Sequence, residues 1–216
     1  MSKTAILLGA TGLTGGCLLS LLLEDERFAQ VKIFSRRPVA VQHPKIKTFI
    51  TDLTQLENMA AQFTGDVVFC CIGTTKSKTP DKEQYRAIDY GIPVSAAKLC
   101  KSNEIPAFIV VSALGANSNS RVFYNRVKGN MEEAVLEMDL SKAFILQPSL
   151  IGGNRDEKRL GERLAQGVFS AFSFLIPKKY KMIEPEEIAR AMIFLSHNSY
   201  QKDRIPSNEI KKISLQ

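Results

Sequence analysis

Three residues of this sequence are spaced for proton chemistry. Tyr124 is followed four residues later by Lys128, and it is the one tyrosine of five with such a neighbour. On a helix that spacing puts both side chains on one face. Ser112 stands twelve residues before Tyr124, at the end of an apolar run. A phenol ionises near about 10 and is a poor catalyst at neutral pH, but an adjacent ammonium favours its phenolate form. Tyr124 can then exchange a proton with a carbonyl or alcohol oxygen, while Ser112 holds that oxygen in line. A Tyr-x-x-x-Lys pair alone also describes an ordinary surface pair on a helix, so its surroundings decide.

A second set of residues is spaced to hold an anion. Gly9-Ala10-Thr11-Gly12-Leu13-Thr14-Gly15 follows a short apolar run at 4–8 and opens a leucine-rich stretch at 13–23. A strand, this glycine pattern and a helix are the context of the dinucleotide fingerprint. Glycines let the backbone turn tightly and approach a pyrophosphate, and the helix N-terminus offers N–H groups and a positive dipole end. The simpler reading is a glycine-tolerant turn between strand and helix.

The second strand ends Phe34-Ser35-Arg36-Arg37, without the acid that grips a ribose 2′-hydroxyl in NAD sites. Two guanidiniums and a hydroxyl suit a 2′-phosphate. The sequence therefore points to NADP(H) over NAD(H), with an exposed basic turn as the plainer account. With that cofactor carrying the hydride, Lys128 would also bond the nicotinamide ribose.

Positioning both sets takes alternating strands and helices. Strands are expected at 4–8, 31–34, 46–50, 66–72, 107–112 and 143–147, and helices at 13–23, 55–63, within 81–103 and at 120–138. That order predicts an α/β fold, a doubly wound parallel sheet in three α/β/α layers. Its strands are near-continuously apolar, as when both faces are covered. Residues 151–216 break the rhythm. A helix is expected at 155–174, a loop at 177–181, a helix at 185–196 begun by Pro185 among Glu184, Glu186 and Glu187, and a late strand at 213–215. This stretch is too short for a domain of its own. It is expected to be a small C-terminal extension closing over the carboxyl ends of the strands, within a single domain of residues 1–216. Phe169, Phe172, Phe174 and Leu175 fit ordinary core packing better than a pocket wall.

Lys and Arg number 29 against 22 Asp and Glu, a net charge of +7. The surplus suits an anionic cofactor or substrate, and equally a solvated basic surface. No basic run exceeds a pair and no nucleic-acid signature occurs, so no nucleic-acid partner is expected. The four cysteines, Cys17, Cys70, Cys71 and Cys100, have neither CxxC nor other metal-ligand spacing. They favour a reducing compartment. No stretch approaches the roughly 20 apolar residues that cross a bilayer. The N-terminal apolar run is broken by glycines and ends in Glu24-Asp25-Glu26, unlike a secretion signal. The expectation is a cytoplasmic protein with a small-molecule substrate and no membrane partner. His43 and His197 are isolated and read as surface or packing residues.

Together these landmarks resemble the short-chain dehydrogenase/reductase superfamily in its atypical branch, whose members are NAD(P)-binding Rossmann proteins. The resemblance runs from Ile6 to about Arg155 and is closest to the Tat-interacting oxidoreductase group, through Cys70-Cys71-Ile72-Gly73-Thr74-Thr75 and Tyr124-Asn125-Arg126-Val127-Lys128-Gly129. It implies that Gly9, Thr11, Gly12, Leu13, Thr14 and Gly15 contact the pyrophosphate. Ser35, Arg36 and Arg37 would hold the 2′-phosphate side, and Asp52 and Leu53 would flank the adenine. Cys71, Ile72, Gly73 and Thr74 would line the path toward the nicotinamide, with Pro148 to Ile151 beside it. Ser112, Tyr124 and Lys128 would be the catalytic trio. The helices crossing between strands 4 and 5 and strands 5 and 6 would offer a homodimer face.

One departure stands out. Many members carry an Asn in the helix after strand 4, where it supports a proton relay; here Asp89 falls near that place. A carboxylate only accepts hydrogen bonds, whereas an amide both donates and accepts. Asp89 reads equally well as a plain helix residue. Three functions fit the sequence: an NADP(H)-dependent oxidoreductase acting on a small carbonyl or alcohol, a non-catalytic NADP(H) sensor, and, last, an epimerase-like enzyme of nucleotide sugars.

Overall fold

Alternate side chains of the strands enter two different cores, which is how a sheet comes to be covered on both faces. In the computed structural model, which describes residues 2–152 and 181–216, β1 (Lys3–Leu8) sends Ala5 and Leu7 to one core and Ile6 and Leu8 to the other. The same division runs through β2 (Phe28–Ser35), β4 (Val67–Cys70), β5 (Phe108–Val111) and β6 (Ala143–Gln147). With β3 (Ile46–Ile50) and β7 (Arg204–Pro206) they form one seven-stranded sheet in the order β3-β2-β1-β4-β5-β6-β7, each neighbouring pair parallel. The order reverses beside β1, where open α/β sheets bind ligands at the carboxyl ends of their strands.

On one face lie α1 (Leu13–Glu24), α5 (Pro185–His197) and α6 (Ser207–Ile213), through residues such as Leu18, Leu22, Ile188, Met192 and Ile210. The other face carries a short 3-10 helix (Leu53–Met59), α3 (Ile92–Ser102) and α4 (Phe123–Leu136). The long helix expected within 81–103 is continuous but not uniform. Here α2 (Lys82–Arg86) runs through a π-helical turn (Ala87–Gly91) into α3, and the N–H of Ile92 reaches back to the carbonyl of Ala87.

The extension differs from expectation in two ways. Residues 213–215, expected as a strand, are the last residue of α6 and the turn that follows it, with Ile210 and Ile213 buried at helical spacing, while β7 lies earlier, at Arg204–Pro206. The helix α5 packs against α1 on the sheet face and does not cap the strand ends, because its apolar residues recur on one helical face as Ile188, Met192 and Leu195. The short stretch around Ile183 meets the segment after β6 through a parallel bridge with Ile151. The helix expected at 155–174, most of the 177–181 loop, and Phe169, Phe172, Phe174 and Leu175 lie outside the described residues.

Candidate functional site

Apart from Tyr124 and Lys128, which lie on α4, the sequence-predicted segments lie at or just after the carboxyl ends of strands of this sheet. Gly9 follows β1, Ser35 ends β2, Cys71 follows β4, Ser112 follows β5 and Pro148 follows β6. At the first of these the backbone leaves little choice of residue. Gly9 has φ +86°, and a Cβ there would stand 2.7 Å from the carbonyl oxygen of Cys71. A Cβ on Gly15 would meet the carbonyl oxygen of Gly9 at 2.1 Å. The Gly12 N–H closes the turn onto the Gly9 carbonyl at 2.9 Å. Gly12 caps α1 without any side-chain hydrogen bond, and the first turn of α1 has no acid. The N–H groups and positive dipole end of α1 therefore face outward, beside exposed Thr11 and Gly12, with Leu13 half-buried and Thr14 buried. This cradle fits the pyrophosphate of a dinucleotide.

On the adenosine side, Arg36 and Arg37 are exposed while Ser35 is buried. The Ser35 hydroxyl donates to the Arg37 carbonyl at 2.5 Å, so it shapes the turn that presents both guanidiniums. Asp52 is exposed and Leu53 buried beneath it. The Thr54 N–H and hydroxyl hold the Asp52 carboxyl below its ordinary range, and Arg36 adds to the effect. Arg36 and Asp52 thus share one edge of the site.

Across the switch point, Lys128 and Tyr124 occupy one face of α4, as the spacing predicts. Tyr124 is partly exposed and its ring meets Tyr85 edge-on at 6.5 Å. Lys128 is buried, with its Nζ 3.1 Å from Oδ1 of Asp89, itself wholly buried in the π turn. Burial works to lower the Lys128 pKa, but the Asp89 carboxylate, helped by Tyr124, leaves it above the ordinary lysine value. The other Asp89 oxygen accepts the Thr74 N–H at 2.8 Å. Gly73 lies directly over the pair: a Cβ there would be 3.6 Å from Asp89 Oδ1 and 3.8 Å from Lys128 Nζ. Cys71, Ile72 and Thr74, half-buried, continue that loop, and the Tyr85 hydroxyl donates to the Thr74 carbonyl at 3.3 Å.

Ser112 occupies a different setting from the one expected of it. It is buried, and its hydroxyl donates to Glu132 Oε1 at 2.5 Å. Glu132 also accepts from Gln147 Nε2 at 3.0 and 2.9 Å and from Arg204 Nε at 2.8 Å. Glu132 was not singled out in the sequence, although its place four residues after Lys128 on the same helical face was a usable signal. The structure thus joins Tyr124, Lys128, Asp89 and Gly73 at one point and ties Ser112 to a network one turn further along α4. Beside it, buried Pro148 accepts the Leu114 N–H at 2.8 Å, and the Ser149 hydroxyl bonds the Lys181 carbonyl and pairs with Ser207. Among the described residues no helix is long and apolar enough to span a membrane, and no group of three His, Cys, Asp or Glu could hold a metal ion.

Residues 9–149 match the model of an NAD(P)H-binding family. The chain is 30% identical over 200 residues to "Protein FMP52, mitochondrial" of Debaryomyces hansenii, covering 89% of this chain and 87% of the relative. It is 30% identical over 174 residues to "Protein HTATIP2" of Rattus norvegicus, covering 79% and 72%. Among solved structures it resembles the ADP-L-glycero-D-manno-heptose-6-epimerase of Helicobacter pylori, with a TM-score of 0.70 at 18% identity, over 99% of this chain and 81% of that one. It likewise resembles the enzyme WbmH of Bordetella bronchiseptica in complex with NAD+, with a TM-score of 0.70 at 15% identity, over 93% and 74%. At such identities the structural likeness speaks for the fold. The fungal relatives are named mitochondrial, which overturns the expectation of a cytoplasmic location. Cysteine usage reports on redox environment and does not separate one reducing compartment from another. With the glycine cradle, the parallel sheet and these relatives in agreement, the chain belongs to the NAD(P)H-binding family, as an atypical short-chain dehydrogenase/reductase.

Proposed function

We propose that this protein is an NADP(H)-dependent oxidoreductase acting on a small carbonyl or alcohol. The observation that carries the reading is the position of Lys128, its ammonium beneath Gly73 on the loop after β4 and on the same helix face as Tyr124. When bound, the nicotinamide would give or take the hydride. Tyr124 would hand its phenolic proton to the carbonyl oxygen in reduction, and accept one from the alcohol in oxidation. Lys128 would hold the nicotinamide ribose and stabilise the phenolate left behind. The glycine cradle would take the pyrophosphate, and Arg36 and Arg37 the 2′-phosphate. The test is a screen of aldehydes and ketones for NADPH oxidation, run beside calorimetry with NADPH and NADH. Tight NADPH binding and turnover of a carbonyl support the reading; equal affinities for the two nucleotides remove the NADP(H) preference.

A second reading, a non-catalytic cofactor sensor, is favoured by one observation. The Ser112 hydroxyl proton is committed to Glu132 and not to an open site. Tight NADPH binding with no turnover in the same screen would select it.

A further inference from the structure

Asp89 is the least expected charge in the molecule. It is wholly buried, and both its oxygens face donors: Oδ2 the Thr74 N–H at 2.8 Å and Oδ1 the Lys128 ammonium at 3.1 Å. An asparagine here would offer one acceptor oxygen and turn its NH2 toward the other donor. The position is therefore built for a carboxylate. The other titratable groups around the pair are Tyr124 on α4, Tyr85 on α2 and Cys70 on β4. Burial pushes the Cys70 thiol up to about 11 and the Tyr85 phenol higher still. Among the described residues, the carboxylate in contact with the Lys128 ammonium is that of Asp89.

We infer that Asp89 is a positioning residue that holds Lys128 as a fixed ammonium under Gly73, so that the grip on the nicotinamide half of NADP(H) does not weaken as pH rises. The inference rests on the cofactor assignment above. One carboxylate ties three things together: the loop after β4 through Thr74, the helix α4 through Lys128, and the π turn that carries it. Without Asp89, burial favours the neutral amine and the Lys128 pKa falls. The contact would then be present below that lowered value and lost as pH rises through it.

The test is calorimetry from pH 7 to 9.5 with two ligands, NADPH and adenosine 2′,5′-bisphosphate, which lacks the nicotinamide half. Wild type, Asp89→Asn and Lys128→Met are compared. Wild-type affinity for NADPH should stay within about twofold across the range. Asp89→Asn should bind NADPH about tenfold more weakly, the size of one lost charge-assisted hydrogen bond, and approach Lys128→Met as pH rises. All three should bind the bisphosphate equally. An Asp89→Asn protein that keeps wild-type NADPH affinity at every pH overturns the inference, as does an equal loss for the bisphosphate. If Asp89→Asn does not fold, wild type decides: a tenfold fall in its NADPH affinity over this range, with bisphosphate binding constant, also overturns it. Failure of wild type to bind either ligand would instead refute the cofactor assignment.

Discussion

Ser112 and Glu132 are joined by a 2.5 Å hydrogen bond that links the end of β5 to the middle of α4. Glu132 is 1% exposed and also holds Gln147 at the end of β6 and Arg204 in β7, so one carboxylate pins a helix to three neighbouring strand segments. Tyr124 and Lys128 lie two turns and one turn before it on the same face of that helix.

This arrangement makes Glu132→Gln a stability variant. The amide NH2 would confront the Gln147 NH2 and leave a buried donor unpaired. The Arg204 end is half-exposed and screened, so most of the cost comes from the two uncharged partners. We expect a loss of roughly 2–3 kcal/mol in urea unfolding. A change below about 0.5 kcal/mol would show that the network contributes nothing measurable.

Tyr124→Phe should separate chemistry from binding. Removing the hydroxyl takes away the proton donor, a contribution of roughly 10²–10⁴ in rate. Calorimetric affinity for NADPH should be unchanged. Ser112→Ala, whose hydroxyl is tied to Glu132, should lower turnover less than Tyr124→Phe and reduce stability by about 1 kcal/mol. Unchanged turnover in Tyr124→Phe would take Tyr124 out of the mechanism.

The paired variant Arg36→Ala/Arg37→Ala tests nucleotide choice. Each charge-assisted contact to a 2′-phosphate is worth about 1.5–3 kcal/mol. NADPH affinity should fall at least tenfold, with NADH affinity nearly unaltered. Parallel losses for both nucleotides would mean that the two arginines act on the adenosine at large and do not read the 2′-phosphate.

Gly15→Ala tests the cradle. Its Cβ would press on a backbone carbonyl at 2.1 Å, which has no flexible end to swing away. The loop must open, at about 1–3 kcal/mol in thermal or urea unfolding, and NADPH binding should weaken at least tenfold. Wild-type values for both would show that the turn adapts freely.

The parallel sheet covered on both faces and the glycine turn before α1 were legible because each depends on local pattern: apolar runs of strand length, and glycines placed between a strand and a helix. The Tyr124–Lys128 face followed from helical spacing alone. What sequence spacing does not carry is which way a side chain turns once two elements pack. Ser112 directly follows its strand, which stops one residue short of the end expected for it, yet its hydroxyl points at Glu132, and only the placement of α4 against β5 decides that. Asp89 sits in Ala-Ile-Asp-Tyr-Gly, which offers no sign that the helix widens there. The late strand was misplaced because Ile213-Ser214-Leu215 has strand-like composition. The pairing partner of β6 proved to be Arg204–Pro206, a run too short and too polar to declare itself.

The π turn between α2 and α3 acts as a phase shifter. A residue inserted into an α-helix rotates everything beyond it by about 100°, and wide turns of this kind recur at functional sites. Before the turn, Tyr85 is buried toward Thr74; after it, Ile92, Ala96, Leu99 and Cys100 face the core at regular α spacing. Asp89 falls inside the shift, where neither regular stretch dictates its direction. Deleting one residue from Ala87–Gly91 would restore the ordinary helix. It would also force a choice, since the apolar face of α3 and the carboxylate under Gly73 would no longer both point where they do. Two neighbouring demands, packing and charge, are met along a single continuous helix by giving each its own angular origin.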